Sequence, residues 1–212
     1  MITAVGGIKG GGGKTTLATN LCVMRSQDGK KVLLVDADEQ RTASDWSSHR
    51  EALGIETNWV TIKLSGNAIL TEIKKMSSKF DDIIIDVGGR DTISQRAAFA
   101  VSNKCLIPFK PKSFDMWTLG GVKALVAEVR IYNPSLKAFT VINQGDARGA
   151  DNEEAVEMIK EIEDFVCLPT IIGYRKAFAN AAAEGLGIVE LKRADPKAIE
   201  EIKDLYFHVY NT

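Results

Sequence analysis

Lys9, Lys14 and Thr15 frame four consecutive glycines in the run Lys9-Gly10-Gly11-Gly12-Gly13-Lys14-Thr15-Thr16. These residue types at this spacing suit the binding of a phosphate chain. Phosphate oxygens need several backbone N–H groups converging on them, and glycines let the backbone come close without side-chain obstruction. A helix opening at Lys14 adds the positive end of its dipole. Lys14 then supplies a mobile cation for the β- and γ-phosphates, and the Thr15 hydroxyl is placed to ligate Mg²⁺. The strict phosphate-loop pattern has a glycine where Ile8 stands. A glycine-rich turn with no ligand is the alternative, but the order strand, glycines, Gly-Lys-Thr, helix argues against it. Lys9 is unusual, because a second lysine beside the phosphates crowds Lys14 unless it has an anionic target of its own; otherwise it is a solvated loop lysine.

Two further segments carry carboxylates at the ends of apolar runs. In Val32-Leu33-Leu34-Val35-Asp36-Ala37-Asp38-Glu39-Gln40, Asp36 and Asp38 stand on alternate residues and point the same way if the strand continues through them. Near a metal–phosphate centre such a pair orders the metal's water shell and an attacking water; the simpler alternative is an aspartate pair capping the next helix. Asp86 ends Ile83-Ile84-Ile85, where burial is costly unless a cation or metal-bound water meets it. It could instead cap a helix beginning near Thr92. Gly88 and Gly89 suit a loop that moves with the γ-phosphate. Asn143, after Val141-Ile142, offers a donor and an acceptor to a nucleobase edge, or simply forms a turn.

Positioning these groups requires buried strands. Apolar runs at Ile2–Val5, Val32–Val35, Ile83–Ile85, Cys105–Ile107 and Phe139–Ile142, with a weaker one at Phe165–Leu168, suit strands covered on both faces. Between them, Leu17–Gln27, Ala68–Lys79, Ile93–Val101, Leu119–Val129 and Glu153–Glu163 are patterned as crossover helices. This alternation predicts an α/β fold: one doubly wound, mostly parallel sheet with helices on both faces and ligands at the carboxyl ends of the strands. Residues 196–210 read as a final helix with Pro196 in its first turn and Ile199, Ile202, Leu205, Tyr206 and Val209 at helical spacing. Its mixed charges (Glu200, Glu201 and Asp204 beside Lys197 and Lys203) favour core packing over a membrane surface.

The 212 residues suffice for a single domain spanning 1–212, without linkers or repeats. With 27 Lys and Arg against 28 Asp and Glu, the net charge is -1, which excludes a surface coated in basic charge though not a local basic patch. No apolar run approaches a membrane span, and the N-terminus lacks the pattern of a secretory signal. Cys22, Cys105 and Cys167 are far apart and odd in number, so we expect reduced thiols in a cytoplasmic protein.

The run from Lys9 to Thr16 resembles the deviant Walker A motif of the ParA/MinD family, in which the extra lysine reaches across a dimer to phosphates held by the other subunit. Asp36-Ala37-Asp38-Glu39-Gln40 is similar to that family's second aspartate motif, with Glu39 replacing the usual proline. The segment Phe80-Asp81-Asp82-Ile-Ile-Ile-Asp86-Val-Gly88-Gly89-Arg90-Asp91 resembles its Walker B strand. The resemblance implies ATP and Mg²⁺ as cofactors. It makes Lys9, Lys14 and Asp38 catalytic, Asp38 orienting water, and gives the nucleotide to 9–16 and Asn143. The metal goes to Thr15, Asp36 and Asp86. Softer likenesses are Leu106-Ile107-Pro108-Phe109-Lys110-Pro111 through Asp115, near a dimer face, and Tyr174-Arg175-Lys176 through Gly187, near the base.

The phosphate loop starts almost at residue 1, leaving no room here for the N-terminal helix-turn-helix domain of larger ParA proteins. The chain is similar to the short ParA class, which implies a weak partition ATPase. ATP drives a sandwich homodimer that binds DNA without sequence preference, and a ParB-like centromere-binding protein or cargo adaptor triggers hydrolysis and release. The implied location is cytoplasmic and nucleoid-associated, with no membrane expected. Candidate DNA contacts are Arg175 with Lys176, Lys192 with Arg193, and Lys110 with Lys112. Alternatives are a MinD-like or other cargo-positioning ATPase (membrane, protein compartment or conjugation complex) and a metabolic P-loop enzyme transferring phosphate to a small substrate. Redox relatives that bridge a cluster with paired cysteines are discounted, because such pairs are missing.

Overall fold

The computed structural model describes residues 1–89, 92–111, 119–146, 150–193 and 195–211. Arg90, Asp91, Lys112 and Asp115, all part of motifs noted above, lie outside the described residues. The apolar runs become β1 (Ile2–Val5), β2 (Val32–Ala37), β4 (Asp82–Val87), β5 (Lys104–Phe109), β6 (Lys137–Gly145) and β7 (Val166–Gly173). A further strand, β3 (Trp59–Lys63), completes a seven-stranded sheet in the order β3-β2-β4-β1-β5-β6-β7. Every pairing is parallel.

The alternation of side chains along the strands feeds two cores. Val32, Leu34, Ile84 and Leu106 face one side, against α1 (Lys14–Gln27), α2 (Thr42–Ala52), α7 (Lys176–Ala183) and α8 (Pro196–Tyr210). Leu33, Val35, Ile83, Ile85 and Ile107 face the other, against α3 (Ala68–Met76), α4 (Ile93–Val101), α5 (Leu119–Arg130) and α6 (Asp151–Lys160). Because the central strands bury both faces, they read in sequence as unbroken aliphatic runs. The doubly wound parallel sheet expected from the sequence is the architecture of the protein.

Helix α2 and strand β3 carry no apolar signature in the sequence. Helix α2 buries Ala43, Ser44, Trp46, Ser47 and Arg50, a face too polar to show an apolar period. Strand β3 is an edge with exposed Val60 and Lys63, so it lacks the aliphatic signature of its neighbours. The two elements meet through Trp46 and Trp59, whose rings stack 5.7 Å apart and only 6° from parallel. The Arg50 guanidinium lies 4.9 Å from the Trp59 ring centre and forms a bidentate pair with Glu190, 2.7 Å for each bond. A buried arginine of this kind must be paired, and here it fastens α2 to the segment after α7.

Helix α8 is the core-packing tail anticipated from its spacing. Asp195 caps it by accepting from the Lys197 amide at 3.0 Å, Pro196 occupies the first turn, and Ala198, Ile202, Leu205 and Val209 are buried. Burial of the three larger side chains contributes roughly 1.5–3 kcal/mol each. At its far end Lys104 Nζ donates to the Val209 carbonyl at 2.6 Å, and Arg25 bonds Asp82 while lying 4.4 Å from the Tyr210 ring centre.

Candidate nucleotide site

Strand β1 ends at Val5, and the following loop climbs over the carboxyl ends of β1 and β5 before α1 begins at Lys14. Gly13 precedes the helix with φ 81° and ψ 19°, a left-handed conformation that favours glycine, and a side chain there would overlap the amide of Asn143. Two amides at the end of β6 hold the loop from below. Asn143 Nδ2 donates to the Gly12 carbonyl at 2.6 Å, and Gln144 Nε2 donates to the Gly11 carbonyl at 3.1 Å. Gln144 itself has φ 58°, a costly conformation for a non-glycine residue. With these carbonyls tied down, the loop's N–H groups are left for a ligand.

Asn143, expected at a nucleobase edge or in a turn, stands at the end of β6 against the phosphate loop. One of its two N–H donors goes to the phosphate loop, and the second N–H and Oδ1 are left for a base edge. It still lines a smaller cleft of about 160 Å³ with Thr16, Tyr174, Arg175 and Phe178, beside the loop on the β7 side.

The main cleft, about 640 Å³, lies between the glycines, Lys14, Thr15, Asp38 and the Gly88-Gly89 turn. Asp36 and Asp86 are register partners on neighbouring strands, so both carboxylates sit under the start of α1. Lys14 is 7% exposed, and its Nζ donates to the Lys9 carbonyl at 2.8 Å. Burial lowers the affinity of that amine for its proton, while Asp86 and Asp38 oppose the loss. Lys9 itself stands on the exposed outer part of the loop.

Asp86 is fully buried, and neither carboxylate oxygen accepts a well-formed hydrogen bond. Burial pushes its carboxyl up to about 7; the Thr15 hydroxyl favours the charged form, Asp36 and Asp38 disfavour it, and Lys14 favours it. An orphaned buried carboxylate beside a hydroxyl, at the mouth of a phosphate loop, fits a divalent cation. Among the described residues no three His, Cys, Asp or Glu side chains cluster to hold a metal alone. Mg²⁺ is bound through one or two carboxylates together with substrate phosphates and water, and Asp86 with Thr15 supplies such a pair of groups. Thr92, not Asp86, caps α4, accepting from the Gln95 amide at 3.2 Å.

Asp36, expected on the metal side, is engaged by backbone amides. Its two oxygens accept from the Ser44 amide at 2.7 Å and the Asp38 amide at 3.2 Å. It thereby fixes the start of α2 and the loop between, which is a positioning task. Asp38 is half-buried on the cleft wall, and one of its oxygens accepts from the Gln40 amide at 3.0 Å. The β4 loop passes close by. A Cβ on Gly88 would stand 3.2 Å from Asp38 Oδ1, and one on Gly89 only 2.6 Å from the Gly10 nitrogen. Gly89 is therefore required where the β4 loop touches the phosphate loop.

Among the basic residues read as DNA contacts, Arg175 is engaged by the protein's own carboxylates. Its guanidinium bonds Glu201 through two nitrogens and Asp195 through the third, at 2.9 Å. The hydrogen bond to Glu201 is the main cause that holds its pKa above that of an ordinary arginine. Its charge is spent on α8. Lys176, Lys192 and Arg193 are exposed. Sequence reasoning also missed Gln144 and the Arg50–Glu190 pair; the polar character of α2 and the amide pair at the end of β6 were the available signals.

The family model described as the CobQ/CobB/MinD/ParA nucleotide binding domain matches residues 3–188. The maintenance of carboxysome distribution protein A of Halothiobacillus neapolitanus is 29% identical over 208 residues, covering 95% of this chain and 93% of that protein. Among solved structures, an ATP complex of Cyanothece McdA superposes with a TM-score of 0.80 at 18% identity, over 99% of this chain and 96% of that one. A putative plasmid partition protein of Borrelia burgdorferi B31 bound to AMPPNP gives 0.79 at 20% identity, over 100% and 99%. At these identities the structures establish a shared fold.

Proposed function

Because the chain belongs to the CobQ/CobB/MinD/ParA family of nucleotide-binding domains, we propose that it is an ATPase that partitions or positions a cargo on DNA. The observation that carries this reading is the orphaned Asp86 carboxylate beside Thr15 and Lys14, under glycines whose carbonyls are already occupied. One domain spanning 1–212 performs the cycle.

The phosphate chain of ATP lies over the loop N–H groups, with Lys14 leaving the Lys9 carbonyl to meet the β- and γ-phosphates. Mg²⁺, held by Thr15 and by Asp86 through water, supplies charge neutralisation when bound. Asp38 keeps one oxygen anchored on Gln40 and offers the other to a water, orienting it toward the γ-phosphorus. The water oxygen forms the new P–O bond as the bond to the β–γ bridging oxygen breaks, giving ADP and phosphate. Asp36 holds the Asp38 loop in place. Lys9 neutralises the phosphates held by a second subunit, so the triphosphate joins a homodimer and hydrolysis releases it.

The dimer binds DNA nonspecifically through exposed cations, for which Lys176, Lys192 and Arg193 remain candidates, and a cargo-bound adaptor protein accelerates hydrolysis. Related proteins named for carboxysome distribution and for plasmid partition support both kinds of cargo. Helix α8 spends its apolar stripe on the core and does not itself offer a membrane-binding face; a MinD-like cargo-positioning cycle remains the second reading. Among the described residues no helix is long and apolar enough to cross a membrane.

Light scattering with and without ATP and Mg²⁺, alongside DNA shift assays at two salt concentrations, tests the proposal. Doubling of mass and salt-sensitive DNA retention that both require ATP are expected. A monomer that turns over ATP with a small-molecule acceptor would overturn it in favour of a metabolic enzyme.

A further inference from the structure

Lys110 follows β5, between Pro108 and Pro111, and its half-buried side chain turns toward the phosphate loop. Its Nζ lies 3.7 Å from the point where a Cβ on Gly11 would stand, and the Pro108 carbonyl lies 3.5 Å from the equivalent point on Gly12. The end of β5 thus runs along the glycines. Among the described residues Lys110 makes no hydrogen bond or ion pair. An ammonium held partly out of water favours a site where an anion can join it. The backbone it overlies is shaped for phosphate, and Lys14, the other cation at this height, has a resting acceptor in the Lys9 carbonyl. The flanking prolines restrict the backbone from which the amine is presented.

We propose that Lys110 is a third phosphate-contacting cation of the ATP site, meeting the phosphate chain on the Gly11 side of the loop. This rests on the ATP-binding reading given above. The phosphates have two possible sources: the nucleotide in the chain's own cleft, or the one carried by a second subunit approaching the exposed rim of the loop. The sequence pairs Lys110 with Lys112 as a candidate DNA contact, and the place of its amine against Gly11 favours the nucleotide instead.

The test compares wild type, Lys110→Ala and Lys110→Arg with ATP and Mg²⁺. ATP affinity is measured at a protein concentration where the chain is monomeric, and ATP-driven dimerisation by light scattering. Loss of one charge-assisted contact should weaken one of these by about ten-fold or more in Lys110→Ala, with Lys110→Arg retaining most of it. Lost monomer affinity identifies the chain's own nucleotide, and intact affinity with weakened dimers identifies the second subunit's. Unchanged affinity and dimerisation, with or without a loss of DNA binding, overturns the proposal. Should Lys110→Ala not fold, Lys110→Gln keeps the stem and removes the charge. Wild-type protein that fails to bind ATP at all would instead defeat the ATPase reading, and Lys14→Ala is the control for that case.

Discussion

The Asp38 amide donates to the Asp36 carboxylate at 3.2 Å, so the buried aspartate sets the backbone that carries the half-buried one. The other Asp36 oxygen takes the Ser44 amide, and the pair of bonds fixes where β2 ends and α2 begins. Asp36→Ala strands both amides and should cost about 1–3 kcal/mol of stability. Urea unfolding measures this, with Asp36→Asn, which keeps one acceptor, falling between the two. An unchanged midpoint for Asp36→Ala would contradict the positioning role.

Asp38→Ala should leave ATP binding and ATP-driven dimers in place while lowering turnover by roughly 100-fold or more, the scale of a water-orienting group. Phosphate release at saturating ATP checks it. Turnover within a few-fold of wild type would remove Asp38 from the reaction.

The Asp86 carboxyl is raised by burial to about 7 from 3.8. For an acid raised on folding, the folded state holds its proton more tightly than the unfolded chain, so the stabilisation is complete below the unfolded value and is lost as pH rises toward 7 and beyond. In EDTA and without nucleotide, melting temperature should therefore fall between pH 5.5 and pH 8 by more in wild type than in Asp86→Asn. Mg²⁺-dependent ATP binding should be weaker in the variant at either pH. Parallel pH profiles for the two proteins would show that Asp86 is already compensated.

Gly89→Ala places a methyl 2.6 Å from the Gly10 nitrogen, a distance no packed structure tolerates. The β4 loop or the phosphate loop must shift, and ATP affinity should drop by about ten-fold or more. Isothermal titration reads it; an affinity equal to wild type would mean the two loops part at no cost.

Arg175→Ala should destabilise the fold by leaving Glu201 and Asp195 without their shared partner, and DNA affinity should change little. Joint replacement of Lys192 and Arg193 by Ala should weaken ATP-dependent DNA binding and lower the salt slope by about two. Binding isotherms at several salt concentrations separate the two cases. Equal losses from both variants would restore Arg175 to the DNA face.

Much of this architecture was legible because the central strands are buried on both sides. Ile83-Ile84-Ile85 and Val32–Val35 announce themselves as aliphatic runs, and the glycines with Lys14 fix where the ligand end must be. What escaped was polar. Helix α2 buries Ser44, Ser47 and Arg50, whose burial depends on Asp36, Thr61 and Glu190, residues distant in sequence. No periodicity encodes such pairings. The same holds for Arg175: its charge is visible in the sequence, but its engagement by Glu201 and Asp195 depends on how α8 returns to the sheet. The sequence offers Asn143 as an amide at a strand end, yet only the fold reveals that its nitrogen faces Gly12.

The stacked indoles of Trp46 and Trp59 have an optical consequence. One ring rides on the helix that Asp36 anchors, the other on the edge strand beside it. Two chromophores this close couple electronically. A tilt or withdrawal of that helix on nucleotide addition would register in near-ultraviolet circular dichroism and intrinsic fluorescence, so the unlabelled protein carries its own gauge of the β2–α2 junction.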